Sequence, residues 1–242
     1  MRHTPEKQKN SLRDPEDGIS GIVQIPAGAA HIEGVWTMPA EASGIVIFAH
    51  GSGSSRHSRR NRFVASKLAE AGFGTLLLDL LTTDEEIEDS GDARFRFDIG
   101  FLTNRLIAAT RYVQKHPFKN GNPIGYFGAS TGAAAAIAAA AALNGEISAI
   151  VSRGGRPDLA YEHLSRVQAP TLFIVGGNDE AVLKLNEEAC DHLRCARRLA
   201  VVPGATHLFE EPGALEKVAD LAVKWFGRHL AKVEEPETAA AV

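Results

Sequence analysis

IGYFGASTGAAAAIAAAAAL, residues 124–143, is the stretch that decides the architecture. Residues 124–127 form a short apolar run, as expected of a strand buried on both faces. From Thr131 onward an alanine-rich segment, 131–143, reads as a helix with little bulk to separate it from a sheet. Between them stands Gly128-Ala129-Ser130-Thr131-Gly132, a G-x-S-x-G pattern in a strand–turn–helix setting. The turn it specifies is sharp, and glycines two positions either side of the serine let strand and helix approach without a Cβ clash. The Ser130 hydroxyl then projects above the sheet at the positive end of a helix dipole, where a nucleophile belongs. The plainer alternative is a Gly/Ser turn that only connects the two elements.

Working outward, apolar runs alternate with helical patterns. Strands are expected at residues 19–26, 31–38, 44–49, 74–79, 147–152, 171–175 and 199–202, besides 124–127. Helices are expected at 59–71, 98–114, 180–193 and 215–231, besides 131–143. The last carries Leu215, Val218, Ala222, Trp225 and Phe226 near one stripe. This alternation predicts a mostly parallel sheet covered on both faces, with the site at the carboxyl ends of the strands.

A serine hydroxyl needs an adjacent base. The G-x-S-x-G turn at 128–132 resembles that of the α/β-hydrolases, and the resemblance implies an acid and then a histidine following the serine in chain order. The run 171–175 ends in Gly176-Gly177-Asn178-Asp179, and the run 199–202 in Pro203-Gly204-Ala205-Thr206-His207. Asp179 is therefore the expected acid, with Glu180 and Asp158 as competitors, and His207 the expected base. The other histidines fall in a terminal segment, on helices or on early strands, apart from His50 and His57. The run 44–49 ends in His50-Gly51-Ser52-Gly53-Ser54-Ser55, a loop suited to supplying a backbone N–H to a developing oxyanion. Ser52 and Thr131 are the expected donors, and His50 the expected brace of the loop. No G-K-[ST] follows the glycines, so the loop is not read as a phosphate cradle.

Arg56, Arg59, Arg60 and Arg62 crowd the start of the next helix, and Arg153 follows the run 147–152. Arg56, His57, Arg59 and Arg153 are the candidate substrate-binding residues, suited to an anionic group. The alternative is that these arginines pair with the acidic run 84–89, read as a solvated loop.

The chain has 242 residues, 44% of them apolar, which suits one large α/β domain. A formal net charge of −4 gives no reason to expect nucleic acid or an anionic membrane as partner. Cys190 and Cys195 match no zinc or redox spacing, and read as reduced thiols. Residues 1–17 and 233–242 read as disordered tails. The absence of an apolar leader core or membrane-length span points to a cytoplasmic protein. The expected partner is a small-molecule ester, with the chain a monomer or homodimer.

The motifs add up to a resemblance. HGSGSSRHS at 50–58, GASTG at 128–132, SRGGRPDL at 152–159, GGND at 176–179 and GATHLFEEPGAL at 204–215 resemble the dienelactone hydrolase-like branch of the α/β-hydrolases across roughly residues 18–232. SRGGRPDL and GATHLFEEPGAL are most similar to the hydrolase-like domain sometimes joined to a phosphoribosyltransferase domain. The resemblance implies an α/β-hydrolase fold whose eight-stranded, mainly parallel sheet has its second strand antiparallel. No large insertion lies between the sixth and seventh strands, so no separate cap domain is expected. Dienelactone hydrolases proper use a cysteine where this chain has Ser130. The expected activity is cleavage of a small ester, thioester or lactone without metal or cofactor. A non-catalytic module on the same fold and an acyltransferase are the competing readings.

Overall fold

The computed structural model describes residues 18–230; the two expected tails, 1–17 and 233–242, lie outside the described residues. Eight strands form one mixed sheet: β1 (Ile19–Ala27), β2 (Ala30–Met38), β3 (Ile45–Ala49), β4 (Gly74–Leu78), β5 (Ile124–Ala129), β6 (Ala149–Arg153), β7 (Thr171–Gly176) and β8 (Arg197–Val202). Their order is β1-β2-β4-β3-β5-β6-β7-β8. β2 pairs antiparallel with both β1 and β4, and every other pairing is parallel. All the expected strands form, each within a few residues of its expected bounds.

The five central strands, β3 to β7, are buried at every position. That burial on both faces is why they read as continuous rather than alternating apolar runs. Successive side chains still point to opposite faces. Val46 and Phe48 join Phe127 on one side, under α1 (Arg59–Glu70) and α6 (Ala214–His229). Ile45, Ile47 and Tyr126 point the other way, toward α3 (Ile99–Lys115) and α4 (Thr131–Ala142).

α4 is buried along almost its whole length, with Ile137 its one large apolar side chain. Alanine makes this possible, because the helix sits close against the sheet while α3 and a 3-10 segment at Pro157–Arg166 pack beside it. α6 closes the opposite face through Val218, Trp225 and Phe226. Full burial of each such side chain contributes about 1.5–3 kcal/mol.

The acidic run 84–89 is not a loop. It lies within α2 (Thr83–Asp92), which opens on a capping box: Glu85 N–H donates to Thr82 Oγ1 at 3.2 Å and Thr82 N–H donates to Glu85 Oε2 at 2.8 Å. Its carboxylates do not take the arginines first considered for them. Glu85 pairs with Arg105, Glu88 with Arg94, and the buried Asp89 with Arg96.

No helix among the described residues is long and apolar enough to cross a membrane. Cys190 and Cys195 are free thiols, α5 (Glu180–His192) carrying the first of them.

Candidate active site

Ser130 stands at the turn from β5 into α4 with φ 51° and ψ −121°, a region that residues with a Cβ rarely enter. The surroundings hold it there. Its N–H donates to the Arg153 carbonyl at 3.2 Å, and its own carbonyl accepts the N–H groups of Ala133 at 3.0 Å and Arg156 at 3.2 Å. The flanking glycines are required by contact. A Cβ on Gly128 would meet the Ala133 backbone, and one on Gly132 the Ala49 and His50 carbonyl oxygens, all closer than 3.0 Å. Gly132→Ala is therefore expected to destabilise the protein by about 3 kcal/mol or more, since only backbone movement relieves the overlap. Gly227→Ala is the control. That position is exposed in the last turn of α6 with nothing within 4 Å of the added Cβ, and the change should raise stability by about 0.5 kcal/mol. Urea denaturation of the two variants checks both signs.

Asp179 precedes α5, and its Oδ2 lies 2.6 Å from His207 Nδ1. The contact places the ring proton on Nδ1 and leaves Nε2 as the acceptor nitrogen. The loops carrying the two residues are tied together. Gly177 N–H donates to the Val202 carbonyl and Asn178 N–H to the Ala205 carbonyl, each at 2.9 Å. Asn178 Nδ2 also donates to the Gly204 carbonyl at 2.9 Å. Beyond the histidine, Thr206 N–H donates to Glu211 Oε1 at 3.0 Å, and hydrogen bonding, first from the Thr206 side chain and then from backbone N–H groups, holds the Glu211 carboxyl below its usual range. Of the two competing acids, Asp158 is engaged by both sides of the Arg156 fork, at 2.7 and 2.8 Å. Glu180 is exposed in the first turn of α5.

Ser130 and His207 face one cavity of about 220 Å³, whose wall includes Ser52, Arg60 and Arg153. Among the described residues no hydrogen bond closes between the two side chains. Ser52 also borders a second cavity, of about 310 Å³, which shares Gly51, Ser52 and Ser54 with the first. That one is walled by Leu80, Leu81, Leu102 and Thr131, with Glu86 at its edge. Burial beside Asp79 lifts the Glu86 carboxyl above its usual range. His50 braces the shared loop. Its Nε2 accepts the Leu80 N–H at 2.9 Å, so its Nδ1 carries the proton and donates to the Gly51 carbonyl at 2.9 Å. Burial lowers its pKa and keeps the ring neutral.

The arginines divide. Arg56 is held by Asp79 and Glu33, and it borders a different cavity. His57 and Arg59 are exposed and stand outside the wall of the cavity at Ser130. Arg153 is in that wall, 7% exposed, with no ion pair among the described residues and its Nε unpartnered. Its guanidinium lies 5.9 Å from the centroid of the Phe209 ring. Burial, then the nearby Arg60, push its pKa down to about 10, so it stays a cation at neutral pH. Arg60, named in the arginine cluster but not among the candidate substrate-binding residues, lines the cavity while pairing with Glu210 at 3.1 Å. No group of three or more His, Cys, Asp or Glu among the described residues could hold a metal ion.

An eight-stranded sheet with an antiparallel second strand, a strained serine between β5 and its helix, and an Asp–His contact after β7 and β8 define an α/β-hydrolase. The family model for the dienelactone hydrolase family matches residues 32–231, and the chain belongs to that family. A dienelactone hydrolase crystal structure from Anabaena variabilis is 50% identical, covers 88% of this chain and 99% of that one, and superimposes with a TM-score of 0.86. Est1E from Butyrivibrio proteoclasticus shares the fold at 18% identity and a TM-score of 0.72, covering 86% of this chain and all of that one. Two Mycobacterium tuberculosis proteins, provisionally named phosphoribosyl transferases, are 54% identical over 219 residues. The match takes in 90% of this chain but only 47% of theirs, so the chain spans about half the length of these relatives.

Proposed function

We propose that the protein is a serine hydrolase that cleaves small carboxylic esters, thioesters or lactones, favouring substrates that carry a carboxylate or phosphate. The observation that carries the reading is the Asp179–His207 contact beside the cavity into which the strained Ser130 turn opens. In this reading His207 Nε2 takes the proton of Ser130 Oγ as the oxygen attacks the substrate carbonyl. The resulting oxyanion is stabilised by the backbone N–H of Thr131 and by the Ser52 loop. The tetrahedral intermediate collapses to an acyl-enzyme, with His207 returning the proton to the departing alcohol, thiol or lactone oxygen. Water then attacks the acyl group with His207 as base, releasing the acid and regenerating Ser130. Asp179 holds the imidazole in the required tautomer and offsets its charge when it is protonated. The reaction needs no cofactor.

The anionic preference follows from Arg153, a buried cation without a carboxylate partner in the same cavity, with Arg60 in place of Arg56 as its neighbour. A fork of this kind binds planar anions well. The provisional name of the longer M. tuberculosis relatives makes phosphorylated sugar esters worth including among the substrates tried.

Fluorophosphonate labelling followed by a panel of small esters tests the reading. Labelling that maps to Ser130, with turnover on at least one ester, is expected. Absence of both would overturn it. Asp179→Asn should lower kcat about 1,000-fold or more with little change in KM, because the amide no longer favours the correct tautomer. Steady-state kinetics on the best ester checks this.

A further inference from the structure

The Ser52 N–H is already engaged. It donates to Thr131 Oγ1 at 2.9 Å. Thr131 is the first residue of α4 and is 2% exposed. Its hydroxyl accepts this bond and makes no other hydrogen bond among the described residues, so its own proton has no acceptor there. A hydroxyl that accepts one hydrogen bond still has one to donate. The side chain is β-branched and packed at a helix start, which makes rotation away from Ser52 costly. It also borders the cavity of about 310 Å³ that shares the Ser52 loop with the Ser130 cavity.

We propose that the Thr131 hydroxyl is itself an oxyanion donor, relaying the Ser52 N–H to the developing charge. The chain runs Ser52 N–H to Thr131 Oγ–H to the substrate oxygen, while the Thr131 backbone N–H supplies a second bond. Accepting the Ser52 N–H polarises the hydroxyl and strengthens the bond it gives. No proton leaves the threonine; the relay consists of hydrogen bonds only. The residue after the nucleophile thus contributes twice, and the loop N–H acts through it. This inference rests on the serine-hydrolase reading above.

The test compares Thr131→Val, which keeps the branched shape and deletes the hydroxyl, with Thr131→Ser, which keeps the hydroxyl. Full-length wild type and variants are assayed on the same activated ester, with thermal unfolding as the check on folding. Thr131→Val should lower kcat about 100-fold, the scale of one lost oxyanion donor, with KM within about threefold. Its affinity for a trifluoromethyl ketone inhibitor, whose hemiketal oxygen mimics the oxyanion, should fall by the same factor. Thr131→Ser should retain kcat within about threefold. A merely structural role would not move the inhibitor affinity together with kcat while sparing KM. Unchanged or faster turnover in Thr131→Val would overturn the relay, since the freed Ser52 N–H would then serve directly. Should the valine variant not fold, Thr131→Ala carries the same comparison. Wild type that neither labels with fluorophosphonate nor hydrolyses any ester would overturn the hydrolase reading and the relay together, whereas an active wild type with an active valine variant overturns the relay alone.

Discussion

Ser130→Ala is expected to lower ester turnover by about 10,000-fold or more while leaving the fold unchanged. The hydroxyl makes no hydrogen bond among the described residues, so its removal orphans no buried partner and should alter stability by less than about 0.5 kcal/mol. Ser130→Gly separates chemistry from conformation further. At φ 51° and ψ −121° a Cβ is strained and glycine is not. The glycine variant should therefore be as inactive as the alanine variant but more stable than wild type, by about 1 kcal/mol. Turnover by purified protein and urea denaturation of the three forms provide the comparison. Unchanged hydrolysis in Ser130→Ala would end the serine-hydrolase reading. Destabilisation in Ser130→Gly would mean that the turn is not the strained element it is taken to be.

Arg153→Met should raise KM about 100-fold for an ester bearing a carboxylate, and less than about threefold for a neutral ester of equal size. The first effect is the loss of charge-assisted hydrogen bonds to a desolvated anion; the second reflects only the altered wall of the cavity. Stability should move the other way. A buried guanidinium without a carboxylate partner carries a desolvation penalty, visible in a pKa pushed down to about 10. A folded-state pKa below the unfolded value means that the charged form opposes folding, and that opposition is fully present at neutral pH. Removing the charge should therefore stabilise the protein, by about 1–2 kcal/mol. Higher melting temperature with lost anion affinity is the signature of a group kept for function. Equal losses on both esters together with a lower melting temperature would assign Arg153 a structural role instead. The parallel change Arg56→Met should do the reverse, lowering stability with no selective effect on the anionic ester, because Asp79 and Glu33 lose their partner.

Much of the architecture was legible because burial leaves a mark on composition. β3 to β7 lie between two layers of helices, so they could be read as short continuous apolar runs. α4 was legible from its alanines and the turn before it from glycines whose spacing tolerates no side chain. α2 was missed because it has no apolar stripe: Ile87, its one large apolar residue, is 67% exposed. The signal that could have found it is local, the T-x-x-E capping pattern from Thr82 to Glu85. The 3-10 segment at Pro157–Arg166 was also unmarked, apart from the proline at its start.

The sequence by itself determined the order of strands and helices, the Ser130 turn, and the two strand ends from which Asp179 and His207 project. Those features depend on residue type and on neighbours a few positions away, which a single chain displays directly. Only the tertiary structure decided among residues of the same type. Arg56 and Arg60 stand four positions apart at one helix start, and nothing local distinguishes them. Glu33 at the second strand and Asp79 at the end of the fourth take Arg56 out of reach, and Arg60 and Arg153 are left facing Ser130. The Ser52 N–H meets the Thr131 hydroxyl across 79 positions of sequence, in the same way. Charge pairing and hydrogen bonding act over a few ångströms whatever the separation along the chain, so which partners meet is settled by sheet order and loop packing.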